Sequence, residues 1–464
     1  MASAQISYRC RSCSAIQPKW SGRCSSCGEW NGMVEETRSG SRKSRVVSET
    51  EPPERLGEVD GSHHRVLTTG VGEFDRVLGG GLVAGAATLV GGPPGIGKST
   101  LLLQAAAGLA RRHGPVLYVS AEESLAQVRQ RADRLRAVHE HLWVTAASDL
   151  DQIAQQLDQV QPVACIVDSV QTVSDPSIPA APGSLAQVRD SAQWLVHQAR
   201  ARSAAMVLVG HVTKEGTLAG PRVLEHVVDT VVSFDGDGHH ALRMLRVAKH
   251  RHGPTGELGV LEMTGRGLID VADASALFLA DRCVEVPGSA VVATIDGDRP
   301  LLVELQALVV PSSLPAPRRS AQGVDSSRLS VLLAVLQQRA AVSCGSRDVY
   351  VSAAGGARVV EPGADLGLCL AIASSMAGIT LPSELVACGE VGLAGEVRRP
   401  VGVERRLAEA ERVGYRTALV PATVEPGRSS LRLIRVGSVA EALAQVLGPT
   451  DGPGAVDLVR GSSA

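Results

Sequence analysis

Lysine is nearly absent from this chain of 464 residues: Lys19, Lys43, Lys98, Lys214 and Lys249 are the only five, and none follows position 249. Arginine stands in its place almost everywhere, so a lysine kept inside a polar motif is a strong functional lead. Aromatic residues are scarce at 2%, well below the usual share of a globular protein. No stretch reaches eighteen uninterrupted apolar residues, and Cys10, Arg11 and Cys13 stand where a secretory leader would need an apolar run. These absences argue against a spanning helix and a signal peptide and set the expectation of a cytoplasmic protein with no membrane partner. A net charge of −2 predicts no global attraction to nucleic acid, so any DNA binding must come from local basic patches.

What is present is a 44% hydrophobic, 20% charged composition, that of a globular protein long enough for two or three domains. Of nine cysteines, four form two C-x-x-C pairs, Cys10 with Cys13 and Cys24 with Cys27. Two pairs ten residues apart have the spacing of a small ribbon folded around tetrahedral zinc. A redox pair would need only one C-x-x-C. Four thiolates leave no open coordination position, so Zn2+ here would hold shape rather than do chemistry. Arg11, Lys19, Trp20, Arg23 and Trp30 could make this knuckle, residues 1–34, a surface for DNA or for a partner protein. Residues 35–64 are rich in Ser, Arg, Glu, Pro and Gly without apolar period and read as a flexible linker. Cys165, Cys283, Cys344, Cys369 and Cys388 stand singly in apolar context and are expected in the core.

The most informative stretch is Gly92-Pro93-Pro94-Gly95-Ile96-Gly97-Lys98-Ser99, followed by Thr100. It satisfies G-x-x-x-x-G-K-[ST]: glycines let backbone N–H groups close on phosphate oxygens, the lysine reaches the outer phosphates and the hydroxyl holds Mg2+. Its flanks agree, since residues 86–90 read as a buried strand and residues 100–112 as a helix whose N-terminus faces the anion. The expected ligands are therefore ATP and Mg2+.

Beyond it, strands at 116–119, 164–167 and 205–209 alternate with helices at 125–136 and 186–201. Such alternation predicts a mainly parallel α/β sheet with helices on both faces and ligands at the carboxyl ends of its strands. Three strand ends carry suitable groups. Asp168 is placed to support the Mg2+ held by Ser99, Glu122 to orient the attacking water, and His211 to sense the γ-phosphate. Glu123 is expected instead to cap the helix that follows at Ser124. Lys98, Glu122 and Asp168 are thus the candidate catalytic set.

These residues resemble the RecA superfamily and, within it, the bacterial RadA (Sms) family of DNA repair proteins. The four-cysteine knuckle, Gly210-His211-Val212-Thr213-Lys214-Glu215-Gly216, and Lys249-His250-Arg251-His252-Gly253 in place of that family's K-N-R-F-G signature carry the likeness. The signature departs at two of five positions. The resemblance implies a RecA-like ATPase domain over 65–275 whose polar loops at 172–183 and 212–222 grip DNA, with Lys214 and Arg222 as cations. Lys249 and Arg251 would share one face, toward DNA phosphates or toward the ATP of a neighbouring subunit.

From residue 286 to 448 the texture changes to short strands, turns and two helices, at 328–339 and 366–376. This α+β region resembles the proteolytic domain of Lon. A Lon-type peptidase needs a serine nucleophile and a lysine base, yet the serine position matches Asp365 and the lysine position falls among arginines, which stay protonated. The expectation is a non-proteolytic scaffold that packs subunits into a homo-hexamer and presents Arg405 and Arg406 to DNA, followed by a loose tail at 449–464. The resemblance implies a DNA-dependent ATPase motor that branch-migrates recombination intermediates on single-stranded DNA alongside the recombinase filament. An ATP-switched binding oligomer without translocation is the competing expectation.

Overall fold

The computed structural model describes residues 65–178, 180–181, 183–211, 223–236, 241–425, 427 and 429–448. Of the N-terminal segment it describes 6–10, 16–17, 20, 22–23, 25, 27, 30, 33–37 and 55. The chain divides into two compact units, Met1–His63 and His64–Ala464. Most of the stretch read as a linker, and the tail after Gly448, lie outside the described residues.

The first unit holds a three-stranded antiparallel sheet in the order Ile16–Gln17, Ile6–Cys10, Met33–Thr37. Arg23 bridges to Trp30, its guanidinium 5.7 Å from the ring centroid, and both are exposed. Cys10 ends the first strand and Cys27 is exposed. Cys13 and Cys24 lie outside the described residues.

In the second unit a nine-stranded sheet runs in the order Gly267–Asp270, Leu258–Thr264, Leu242–His250, Thr230–Asp235, Ala87–Gly92, Ala205–His211, Ala164–Asp168, Val116–Ser120, Leu142–Thr145. The six strands from Thr230–Asp235 onward pair in parallel, and the other three are antiparallel. Burial on both faces explains the unbroken apolar runs. In the strand Ala87–Gly92, Val90 faces the helices Lys98–His113 and Leu125–Leu135, while Leu89 faces Leu150–Val160 and Leu185–Arg202. Adjacent residues of a strand point to opposite faces, so one run of five or six apolar residues serves two cores.

A seven-stranded mixed sheet follows, in the order Arg319–Gln322, Arg347–Ala353, Arg299–Pro311, Ser289–Asp296, Leu385–Ala387, Thr417–Pro421, Arg432–Val436. Four helices pack on it: Ser326–Arg339, Asp365–Ala377, Val403–Val413 and Val439–Leu447. The last two exceed the sequence expectation. Val403–Val413 is so rich in charge that its apolar stripe is thin, yet Val403, Leu407 and Ala410 fall on one face at helical spacing and bury together.

Leu258, Val260, Ala274 and Phe278 share a buried cluster with the strands and helices of this second sheet. Buried Arg299 donates to Glu73 Oε2 at 2.6 Å, and the same oxygen accepts from the Val260 N–H at 2.7 Å. The two sheets therefore share apolar and ionic contacts. Cys165, Cys344, Cys369 and Cys388 are buried, but Cys283 is exposed, against the expectation that all five sit in the core. Burial pushes the Cys165 and Cys388 thiols up to about 12. Among the described residues, no helix is long and apolar enough to cross a membrane.

Candidate nucleotide-hydrolysis site

The phosphate loop leaves the sheet at Gly92 and re-enters regular structure at Lys98. Its glycines are demanded by geometry at two positions. A Cβ on Gly92 would collide with the Phe234 carbonyl, and one on Gly97, whose φ is +116°, would lie 2.5 Å from Met263 Cε. The left-handed Gly97 is also the N-cap of the helix and has no side chain to occupy its first N–H groups, so these remain available to phosphate oxygens. Pro93, Pro94 and Gly95 are exposed, Ile96 is buried as the loop's anchor, and Ser99 and Thr100 sit half-buried in the first helical turn. Arg243 Nε donates to the Ile96 carbonyl at 3.0 Å, propping the loop from the antiparallel strand.

Lys98 is buried and folds back to donate to the carbonyls of Gly92 at 2.7 Å and Pro93 at 3.0 Å. Burial lowers its ammonium below the ordinary lysine value, opposed by the charges of Asp168 and Glu122. Both carboxylates stand at the ends of the neighbouring strands Val116–Ser120 and Ala164–Asp168, beside the loop. Asp168 ends the strand Ala164–Asp168 and accepts from the Tyr118 hydroxyl at 2.7 Å. Glu122 is exposed and accepts from the Ser169 hydroxyl. The adjacent strand tips are thereby tied to each other: Ser120 pairs with Asp168 across the sheet, and the Ala121 N–H donates to the Asp168 carbonyl at 2.8 Å.

Two expectations are corrected here. Glu123 does not cap the following helix. Ser124 does so with its own hydroxyl, in a reciprocal box with Gln127, because the N-cap side chain alone is in reach of the third helical N–H. Glu123 instead takes both terminal nitrogens of Arg131, at 2.6 and 2.7 Å. In the C-terminal region Arg406 is not presented to DNA. It is 2% exposed, donating to the Ala293 and Val401 carbonyls at 2.7 and 2.9 Å and to Glu361. Arg405 is exposed and pairs with Asp298 at 2.9 Å. Asp365 is buried against Arg328, which donates to both carboxylate oxygens, and accepts the Val391 N–H at 3.1 Å.

His211 ends the strand Ala205–His211, its backbone opposite Gly92; its side chain, and all of Lys214 and Arg222, lie outside the described residues. Lys249 and Arg251 both turn toward the segment at 223–229 of their own chain. Sequence reading missed Tyr118, Arg131 and Arg243, whereas Ser169 stands beside Asp168 at the strand end that the resemblance picked out. Tyr118 was legible only as one apolar member of a buried strand, and the others carry no motif.

A family model described as an AAA domain matches residues 72–217, and one described as a rubredoxin metal binding domain matches residues 8–35. The chain is 46% identical over 437 residues to the DNA repair protein RadA of Brucella abortus (strain 2308), covering 91% of this chain and 92% of that protein. It belongs to the RadA family. A second RadA, from Halalkalibacterium halodurans, is 44% identical over 457 residues, covering 97% of this chain and 100% of that protein. Among solved structures the chain is similar to the ATPase domain of G40P, at 15% identity and a TM-score of 0.40 over 46% of this chain and 93% of that one. As a RadA family member whose residues 72–217 match an AAA domain, the chain is an ATP-hydrolysing enzyme of the DNA repair class.

The site fits the groups that such an enzyme uses. Uncapped helical N–H groups, positive-φ glycines and a buried ammonium suit a polyphosphate, and a hydroxyl and a carboxylate, Ser99 and Asp168, supply the hard oxygen donors that Mg2+ prefers.

Proposed function

We propose that this chain is a DNA-dependent ATPase motor that branch-migrates recombination intermediates on single-stranded DNA, working as a homo-hexamer beside a recombinase filament. The observation that carries the reading is the tie between strand tips. Glu122 is bonded to Ser169, the residue after Asp168, and Asp168 is bonded to Tyr118 on the neighbouring strand. An oligomer that merely binds ATP has no need of a water-orienting carboxylate locked to the metal-supporting strand, whereas repeated turnover does.

In this reading residues 92–100 wrap the phosphates of ATP, and Lys98 turns from its loop carbonyls to the outer phosphates. Ser99 and Asp168 would hold Mg2+, which supplies charge neutralisation on the phosphoryl oxygens. Glu122 accepts the hydrogen bond of the attacking water, and His211 senses the γ-phosphate at the end of the neighbouring strand. Cys10, Cys13, Cys24 and Cys27 would hold a structural Zn2+, with each C-x-x-C giving two thiolates on one turn. Lys214 and Arg222 are the DNA-facing cations, and the C-terminal domain is a non-proteolytic scaffold.

The test is ATP turnover measured with and without single-stranded DNA. Stimulation by the DNA, lost together with about 10²–10⁴ of turnover in Glu122→Gln, is the expected result. A rate indifferent to DNA would favour the ATP-switched binding oligomer, and full turnover in Glu122→Gln would remove that residue from its role.

A further inference from the structure

Ser169 is fully buried, and its hydroxyl donates to Oε1 of the exposed Glu122. The two residues stand 47 positions apart in the chain and meet because the strands Val116–Ser120 and Ala164–Asp168 pair in register as far as Ser120 and Asp168. A glutamate at an exposed strand end has more rotamer freedom than most side chains, whereas a short, enclosed serine has little, so Ser169 is the fixed end of the bond.

Both ends of that bond rest on backbone that is itself tied. Beside Ser169, the Val170 N–H donates to the Val209 carbonyl at 3.1 Å, and the Ser169 carbonyl accepts from the Thr172 hydroxyl at 2.9 Å and from the Thr172 N–H at 3.4 Å. Beside Glu122, the Ser120 hydroxyl donates to the Glu123 carbonyl at 2.8 Å and accepts the Glu123 N–H at 3.2 Å, which closes the turn from 120 to 123 on itself. Glu123 has both carboxylate oxygens on Arg131, at 2.6 and 2.7 Å, so of two adjacent glutamates the hydroxyl meets only Glu122. One oxygen held on a fixed donor sets the plane of that carboxylate and with it the direction of the second oxygen.

We propose that Ser169 is a positioning residue for ATP hydrolysis, its hydroxyl holding Glu122 Oε1 so that Oε2 is aimed at the attacking water. The inference rests on the reading of Glu122 as the water-orienting carboxylate. Such a group must stand within about 2.6–3.2 Å of the water it serves, and a misplacement of about 1 Å can cost a hundredfold in rate. Ser169 supplies no atom to the reaction and acts through Glu122, leaving the nucleotide to residues 92–100 and the metal to Ser99 and Asp168.

Steady-state ATP turnover by the full-length chain, with and without single-stranded DNA, tests this. In Ser169→Ala kcat should fall about tenfold to a hundredfold, the loss expected of a hydrogen bond to a charged group. The KM for ATP and the Mg2+ concentration for half-maximal turnover should keep their wild-type values, because neither ligand is touched. Ser169→Cys, close in size but a weaker donor, should lie between the two, and it carries the same test should the alanine variant fail to fold. An unchanged kcat in these variants would overturn the proposal. So would a raised KM or Mg2+ requirement, which would put the hydroxyl on the nucleotide or the metal instead. Full turnover in Glu122→Gln would remove the reading on which the inference rests, whereas turnover lost in Glu122→Gln but kept in Ser169→Ala would remove the inference alone. The expected fall in kcat in a chain whose ATPase ignores DNA would uphold the proposal and remove only the motor reading.

Discussion

Tyr118 is buried to 2% exposure, and its hydroxyl donates to Asp168 Oδ2 at 2.7 Å. Burial and the adjoining carboxylate push its phenol well above the ordinary value, so it stays a donor at any physiological pH. The bond holds one carboxylate oxygen of Asp168 and thereby aims the other. Tyr118→Phe keeps the packing and frees that carboxylate to rotate. The Mg2+ concentration for half-maximal turnover should rise about tenfold, as expected for a bond to a charged group, with a fall of about 1–2 kcal/mol in denaturant-measured stability. Lys98→Ala should abolish ATP turnover, read as phosphate release, because no other lysine lies between positions 43 and 214 and a distant arginine does not reproduce a compact ammonium inside the loop. Lys98, Glu122 and Asp168 could be read from the chain because each is fixed by a motif or by the end of an apolar run. Tyr118 could not, since nothing in a strand pattern tells which buried hydroxyl will meet a carboxylate across the sheet.

At the scale of the element, the phosphate-loop helix, the capped helix after Glu123 and the parallel strands are all visible in periodicity and turn chemistry. The helix Val403–Val413 was not read, and its Arg406 was misplaced on the surface. Buried inside this helix's inward face, Arg406 meets Glu361, at the N-cap of the 3-10 turn Pro362–Ala364. Arginine is a surface residue on average, and only the approach of a second element can reverse that expectation. Arg406→Met should cost about 3–5 kcal/mol in urea unfolding, since it strands the Glu361 carboxylate. The double substitution with Glu361→Leu should recover most of that loss; if it does not, the ion pair is not what the single change removed. The stretch after Asp168 is the loop that its composition predicts. Polar in composition, it is nevertheless pinned by Gln187, 2% exposed, whose amide accepts from the Asp175 N–H at 2.9 Å and donates to the carbonyls of Asp175, Ile178 and Ala180.

Over the whole molecule, the two sheets of the second unit are joined by charge as well as by apolar packing. Arg412 takes both oxygens of Asp273, at 2.7 and 2.9 Å, linking the helix Val403–Val413 to the helix Ala274–Leu279. Hydrogen bonding from Arg412 lowers the Asp273 carboxyl from its ordinary 3.8 to about 2, although burial opposes it. A carboxyl lowered in the folded state stabilises above its unfolded value and loses that contribution as pH falls through the folded one. The stability difference between the wild type and Asp273→Asn should therefore be flat above 3.8, shrink between 3.8 and about 2, and be modest throughout because the pair is part-exposed. Arg299→Ala should have a larger effect, because it takes one of two guanidinium partners from the buried Glu73 and leaves that carboxylate with Arg76 alone. It should separate the single thermal transition expected of residues 64–464 into two, followed by tryptophan and amide signals together.

The order of strand, glycine turn and helix, the positions of Lys98, Glu122 and Asp168, and the four-cysteine spacing were determined by sequence alone, since each depends on neighbours within a few residues. The family could likewise be named from motifs in linear order. Tertiary structure alone decided that Tyr118 holds Asp168, that Arg406 and Arg299 are interior, and that Lys249 and Arg251 turn back on residues 223–229. A charged side chain finds its partner by which elements fold against it, and that juxtaposition spans tens to hundreds of residues with no periodic trace in the chain.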